Sequence, residues 1–137
     1  MRAIRGKNTR PEIAIREALH AAGFRFRLHS LKLPGKPDLV LPRYKAVIFV
    51  NGCFWHRHDC ALFKLPGERT VFWQEKLDAN VQRDLRAIEA LTELGWRVAS
   101  VWECALKGRS KLPVDTVVSE LSGWLRSDRQ RLDLRSR

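Results

Sequence analysis

The spacing of hydrophobic and polar residues predicts three helices in this chain. A helix start is formed by Thr9 as N-cap, Pro11 in the first turn and Glu12 at the capping-box position, and apolar residues recur at helical spacing as far as Gly23. A second helical pattern extends from about Val71 to Glu93, and a third covers the segment "PVDTVVSELSGWL". The second predicted helix is the longest.

Strand patterns lie between these helices. "FRFRL", Phe24 to Leu28, alternates apolar and basic residues, and "LVLP" follows a turn that ends at Asp38. "AVIFV", Ala46 to Val50, is a continuous apolar run, and "WRVASVW", Trp96 to Trp102, gives a further strand. Together with the helices, this order predicts the α/β class, with a mixed central sheet flanked by helices.

The chain length is that of one domain. Its 137 residues are enough to enclose a single hydrophobic core, and we expect the domain to occupy residues 1–125. Residues 126–137 are rich in arginine, so they are predicted to form a basic, flexible tail.

The net charge of the chain indicates which class of binding partner it has. Its net charge of +11 creates a field that attracts polyanions, which favours nucleic acid. A basic surface adapted to solubility and binding to anionic lipid are the alternatives. The sequence contains neither an apolar run of roughly 20 residues nor a secretory leader, so we expect no membrane association and a cytoplasmic location. An odd number of cysteines, three, suits a reducing compartment.

The segment "NGCFWHRHDC" predicts a metal site. Cys53, His58 and Cys60 lie close together in it, and Cys104 follows the strand that ends at Trp102. If the two strands before these residues run side by side, their ends bring the four side chains together. Three thiolates and one imidazole form a closed tetrahedral site for structural zinc. The alternative is three buried free cysteines with an incidental histidine.

Phe54 and Trp55 of the same segment have two possible fates. A short loop tied by zinc cannot bury His56, Phe54 and Trp55 together, and an exposed aromatic pair beside a histidine on a basic domain suits insertion between base pairs. The alternative is that the pair packs beneath the loop as a small satellite core.

Asp38 indicates a catalytic metal site. An acid at the head of one strand and ligands on its neighbour are typical of a nuclease core, yet the neighbouring strand ends in Val50 and Asn51 and lacks a second acid. The Asp38 carboxylate, the Val50 carbonyl, phosphate oxygens and waters are suitable ligands for Mg²⁺. His56 is then the candidate general base, because a histidine ordinarily titrates near neutral pH.

These residues resemble a known family, the very short patch repair (Vsr) DNA mismatch endonucleases. The resemblance extends over about residues 1–108. It is carried by "MRAIRGKNTRPE", "LPGKPDLVLP", "VIFVNGCFWHRHDCALFK", "FWQEKLDANVQRD" and "LGWRVASVWECALKG". It implies a restriction-endonuclease-like core with structural zinc and catalytic magnesium.

The resemblance also implies roles for individual residues. The zinc ligands are Cys53, His58, Cys60 and Cys104; the magnesium ligands are Asp38 and the Val50 carbonyl; the catalytic base is His56; and the DNA wedge is Phe54, Trp55 and Trp73. Glu12 is placed close to the active site, although capping the first helix with Thr9 is an equally available role. Residues 1–8 are expected to form a DNA-contacting arm around Met1 and Ile4. The family pattern has a phosphate-handling histidine where this chain has Asn51, which neither carries charge nor shuttles a proton.

The function implied is nicking of one DNA strand on the 5′ side of the mispaired thymine in a T·G mismatch, as in the repair of deaminated 5-methylcytosine. The expected partners are double-stranded DNA with that mismatch and repair helper proteins. We expect a monomer associated with the bacterial nucleoid. One alternative is a zinc-stabilised DNA-binding module with weak or no catalysis, and another is a binder of single strands or RNA.

Overall fold

The protein is described by a computed structural model over residues 9–60 and 62–136. In these residues the helices are α1 (Arg10–Ala21), α2 (Thr70–Glu93), α3 (Glu103–Leu106) and α4 (Val114–Leu125), with a 3₁₀ turn at Pro42–Tyr44. The strands are β1 (Arg27–Leu28), β2 (Leu39–Leu41), β3 (Ala46–Asn51), β4 (Arg97–Trp102) and β5 (Arg131–Leu134). The three predicted helices and the mixed sheet are confirmed.

The five strands form one sheet in chain order. β1 pairs with β2 and β2 with β3 in antiparallel fashion, whereas β3 with β4 and β4 with β5 are parallel. Asn51 lies opposite Trp102 in the β3–β4 register, so the two strands end at the same edge of the sheet. The segments that carry the cysteines leave the sheet from this edge.

Side chains of the central strands alternate between two apolar layers. Ala46 and Ile48 join α1 and α4 in one core cluster, whereas Val47 joins Leu91 of α2 in the other. The alternation follows from the two-residue repeat of a strand. Helices therefore cover both faces of the sheet, and α2 lies on the opposite face from α1.

The predicted strand at Phe24 to Leu28 is shorter than expected. Phe24 is buried in the core and packs against Tyr44, with the ring centres 5.5 Å apart. The Phe24 amide also bonds to the Leu19 carbonyl at 3.0 Å, which completes the end of α1. Only Arg27–Leu28 then remains for pairing with β2.

The prediction of a flexible tail over residues 126–137 is wrong for its central part. Arg131–Leu134 forms β5 beside β4, with Leu132 and Leu134 buried and Arg131 and Asp133 exposed. These two leucines add apolar area to the core, which stabilises the strand against its conformational entropy. The abundance of arginine obscured a short alternating pattern.

Within residues 9–60 and 62–136, no helix combines the length and the apolar composition that crossing a bilayer requires.

Candidate active site and metal centre

Four side chains of types that can bind a metal converge near the ends of β3 and β4. The donor atoms of Cys53, His58, Cys60 and Cys104 lie within 4.8 Å of one another. His58 Nδ1 is 3.6 Å from Cys53 Sγ and 3.5 Å from Cys104 Sγ. A sulfur and a nitrogen bound to one tetrahedral zinc ion are about 3.6 Å apart, given Zn–S and Zn–N bonds near 2.3 and 2.1 Å. The donor set and its spacing therefore suit zinc.

Backbone hydrogen bonds hold these donors in place. The turn after β3 is closed by the His58 amide, which donates to the Cys53 carbonyl at 2.8 Å. The Cys104 amide donates to Cys53 Sγ at 3.3 Å, and the Ser136 amide donates to Cys104 Sγ at 3.3 Å. The chain beyond β5 is thus part of the surroundings of the metal centre.

The protonation of these groups depends on burial and on neighbouring donors. Burial raises the pKa of the Cys53 thiol, which favours its neutral form while no cation is present. Burial acts in the same direction on Cys104, but hydrogen bonds with Ser136, Cys53 and Cys60 together outweigh it and lower the pKa of that thiol. Burial, and then the charge of Arg135, lowers the pKa of His58, which favours the neutral imidazole that metals bind.

A second group of donors lies where β2 begins. The ligand atoms of Glu12, His29 and Asp38 are within 4.8 Å of one another. Asp38 Oδ2 accepts a hydrogen bond from the Val50 amide at 2.7 Å, which ties the head of β2 to the end of β3. Glu12 and Asp38 are buried and His29 is half-buried.

Glu12 supplies the second acid that the strand pattern lacked. Its backbone amide donates to Thr9 Oγ1 at 3.3 Å, so the residue takes part in the helix cap. Its carboxylate meets the Arg16 guanidinium at 3.1 Å and His29 Nε2 at 2.5 Å. Glu12 can therefore serve both roles: its backbone amide takes part in the helix cap, and its carboxylate lies near Asp38.

Burial shifts the titration of Asp38 strongly. It raises the pKa of this carboxyl from 3.8 to about 7. The charge of Glu12 acts in the same direction, whereas the Val50 hydrogen bond and the charge of His56 act in the opposite one. Near neutral pH the metal-free carboxyl is thus partly protonated, and a divalent cation beside it favours the ionised form.

His56 is oriented by Asp84, a residue to which the sequence reasoning gave no role. Its Nδ1 makes a short contact with the Asp84 carboxylate of α2. One turn earlier on α2, the Asn80 amide donates to the Trp55 carbonyl at 3.0 Å. Two polar side chains of one helix therefore hold the loop that carries the candidate base.

Phe54, Trp55 and Trp73 form a half-buried aromatic cluster. The Phe54 ring centre lies 4.9 Å from that of Trp55 and 5.5 Å from that of Trp73, both in edge-on contact. Trp55 and Trp73 are 5.9 Å apart, and Phe63 stacks on Phe54 at 6.0 Å. The three predicted wedge residues are thus brought together, although their contact with DNA stays a prediction.

The remaining predicted site residues lie around this edge or outside the described residues. Asn51 is half-buried at the end of β3. Trp102 stacks on His58, with ring centres 3.9 Å apart and planes 7° from parallel, and meets His56 edge-on at 6.0 Å. Met1 and Ile4 lie outside the described residues. The metal centre and the candidate base therefore share one aromatic neighbour.

Comparison with known proteins gives the family. The chain is 50% identical over 125 residues to the "DNA mismatch endonuclease Vsr" of Escherichia coli (strain K12), an alignment that covers 91% of this chain and 80% of that protein. The chain belongs to the Vsr family of DNA mismatch endonucleases. The family model "DNA mismatch endonuclease Vsr" matches residues 1–62. The "Type II nicking enzyme V.XorIIP" of Xanthomonas oryzae pv. oryzae is 53% identical over 106 residues, 77% of this chain and 78% of that enzyme.

A solved structure supports the fold of this Vsr family member. The "Homing Endonuclease I-Bth0305I Catalytic Domain" superposes with a TM-score of 0.58 over 88% of this chain and 100% of that one, at 21% identity. The likeness shows a restriction-endonuclease-like core. Membership of the Vsr family identifies the chain as an endodeoxyribonuclease.

Proposed function

We propose that this endonuclease uses Mg²⁺ to nick one strand on the 5′ side of the mispaired thymine in a T·G mismatch. The observation that carries the proposal is the convergence of Glu12 and Asp38 at one edge of the sheet, with His56 near enough to lower the pKa of Asp38. Two carboxylates and an oriented histidine are the groups that metal-assisted phosphodiester hydrolysis needs. The protein acts as a monomer on double-stranded DNA in the bacterial cytoplasm.

The residues divide the chemical work among them. Asp38, the Val50 carbonyl and Glu12 supply hard oxygen ligands of the kind that Mg²⁺ prefers. When bound, Mg²⁺ polarises the scissile phosphate and stabilises the leaving oxygen. His56 removes a proton from the attacking water: with Nδ1 donating to Asp84, Nε2 is the atom that accepts the proton. Asn51, at the end of β3, donates a hydrogen bond to the phosphate.

Zinc at Cys53, His58, Cys60 and Cys104 has a structural role in this proposal. Four protein ligands leave no open position for water, so the ion ties the loop after β3 to the chain after β4. That loop carries His56, Phe54 and Trp55, so its position determines where these side chains meet DNA.

Recognition of the mismatch is assigned to the aromatic side chains. Phe54, Trp55 and Trp73 are half-buried, so their rings retain accessible surface next to the candidate base. An aromatic wedge offsets the stacking that bases lose when it enters, and a mismatched pair costs less to open than a matched one. The arm at residues 1–8, including Met1 and Ile4, is proposed to contact the adjacent minor groove.

A panel of nicking substrates tests the function. Duplexes that each hold one mismatch, in varied flanking sequences, are incubated with Mg²⁺ or with EDTA, and both strands are analysed. We expect nicking 5′ of the mispaired thymine, loss of nicking in EDTA, and a rate lower by orders of magnitude in Asp38→Asn, because the amide no longer attracts the cation. Asp115→Asn, at an exposed position in the first turn of α4, is the matched control and should retain the wild-type rate.

The outcomes separate this proposal from its main alternative. Binding of mismatched duplex without Mg²⁺-dependent nicking would instead indicate a zinc-stabilised DNA-binding module. Cleavage that does not depend on the mispaired base would contradict the proposed substrate.

A further inference from the structure

His29 is held beside the two acids of the candidate catalytic site. Its backbone amide donates to the Asp38 carbonyl at 2.9 Å, and its φ of 50° lies in the left-handed region, where a non-glycine residue is uncommon. Its Nε2 is 2.5 Å from Glu12 Oε2, and its side chain is 20% exposed against 1% for Glu12. His29 therefore lies between solvent and the buried Glu12 carboxylate.

The three side chains are spaced like ligands of one cation. Adjacent ligands of an octahedral ion with bonds of about 2.1 Å are about 3 Å apart, and opposite ligands about 4.2 Å. The ligand atoms of Glu12, His29 and Asp38 all lie within 4.8 Å of one another. To hold one cation as adjacent ligands, Glu12 Oε2 and His29 Nε2 have to move about half an ångström further apart than their present 2.5 Å.

We propose that His29 is a third protein ligand, which with Glu12 and Asp38 makes this a nitrogen–oxygen site that prefers Mn²⁺-class ions over Mg²⁺. The assignment rests on the proposed function, because it assumes that the site at Glu12 and Asp38 holds the catalytic ion. Carboxylates suit Mg²⁺ and Mn²⁺ alike, whereas an imidazole nitrogen favours transition metals. His29 thus raises the affinity for Mn²⁺ relative to Mg²⁺, and the proposed use of Mg²⁺ then depends on which ion is available.

The test measures metal binding without DNA. Zinc-loaded protein is titrated with Mn²⁺, and pulsed electron paramagnetic resonance detects a nitrogen coupled to the bound ion. We expect nitrogen coupling in wild type and its loss in His29→Gln, which keeps the reach toward Glu12 but removes the imidazole. The ratio of Mn²⁺ to Mg²⁺ affinity should fall roughly tenfold. Substitution even of a residue that only supports the metal ligands commonly lowers metal affinity by at least this factor.

Two further variants keep the test decisive. His20→Gln removes an exposed histidine at the end of α1 and should leave both the coupling and the affinity ratio unchanged. If melting shows that His29→Gln is unfolded, His29→Asn replaces it, because asparagine tolerates positive φ. Nitrogen coupling that persists without His29, or an unchanged affinity ratio, would overturn the assignment.

The nicking assay separates this inference from the proposed function. Suppose that the wild-type protein does not nick mismatched duplex in Mg²⁺ and that nitrogen coupling is lost in His29→Gln. This result would contradict the proposed function but support His29 as a metal ligand. If the wild-type protein nicks and the nitrogen coupling is unchanged in His29→Gln, only the assignment of His29 as a metal ligand is contradicted.

Discussion

The His56 side chain depends on a residue 28 positions further along the chain, Asp84 of α2. A carboxylate at Nδ1 fixes the orientation and tautomer of an imidazole and stabilises it when it takes up a proton. The Asp38 carboxylate, the proposed metal ligand, is held in a similar way by burial and by its hydrogen bond from Val50. At the residue scale, the candidate reactive groups are therefore positioned by partners from other elements.

Asp84→Asn is expected to lower the nicking rate by about 10²-fold, the usual magnitude of general-base catalysis, because the amide no longer stabilises the protonated imidazole. Single-turnover nicking of mismatched duplex measures the change. Asp78→Asn is the matched control: Asp78 pairs with Arg57 of the same loop in an exposed contact, and such pairs contribute little. Equal rate losses in the two variants would show that both merely support the loop.

Asp84 was missed in the sequence for a physical reason. It lies seven residues from both Leu77 and Leu91, so it continues their buried face of α2 in place of an apolar residue. A polar residue at such a position is a signal, but it does not identify the partner. Glu12 and His29 were similarly hard to assign, because only the packing of α1 against the sheet brings them to Asp38.

At the scale of elements, β5 links the fold to the metal centre. The Trp102 indole donates to Asp133 of β5 at 2.8 Å, and the Ser136 amide donates to Cys104 Sγ at 3.3 Å. A bound metal keeps Cys104 as a thiolate, which accepts a stronger hydrogen bond than a thiol. The metal centre and the terminal strand should therefore stabilise each other.

Removing the metal with a chelator is expected to lower the melting temperature and to speed amide exchange across residues 131–136, because metal binding is coupled to folding. Hydrogen exchange read by mass spectrometry checks this, with metal content measured in the same samples. Cys60→Ala removes one ligand and should reproduce the effect without a chelator. Verified metal loss with β5 protection equal to that of the holoprotein would contradict the coupling.

The sequence predicted most elements because their patterns are long. The 24 residues of α2 and the apolar run of β3 leave little ambiguity in periodicity. β1 and β5, of 2 and 4 residues, are too short for a period to stand out, and tertiary contacts decide them. The four donors of the metal centre could be predicted to converge because they follow the ends of two strands, and the structure shows these strands to be parallel neighbours.

At the scale of the whole molecule, the net charge and the aromatic cluster are expected to contribute differently to DNA binding. The net charge of +11 attracts the phosphate backbone of any duplex, so it provides affinity that depends on salt and not on sequence. The aromatic cluster lies at the edge of the sheet where β3 and β4 end, beside the candidate base. Discrimination of a mismatch should therefore reside in this cluster.

Trp55→Ala is expected to weaken binding to mismatched duplex by about 1–3 kcal/mol, the usual contribution of one stacked aromatic ring, while binding to matched duplex changes little. The slope of log affinity against log salt should remain that of wild type, because the variant loses no phosphate contact, each of which contributes about 0.9 to the slope. Fluorescence anisotropy at several salt concentrations, with both duplexes, measures the two quantities. A sharply lower melting temperature with unchanged mismatch affinity would show that Trp55 serves the satellite core and not the DNA interface.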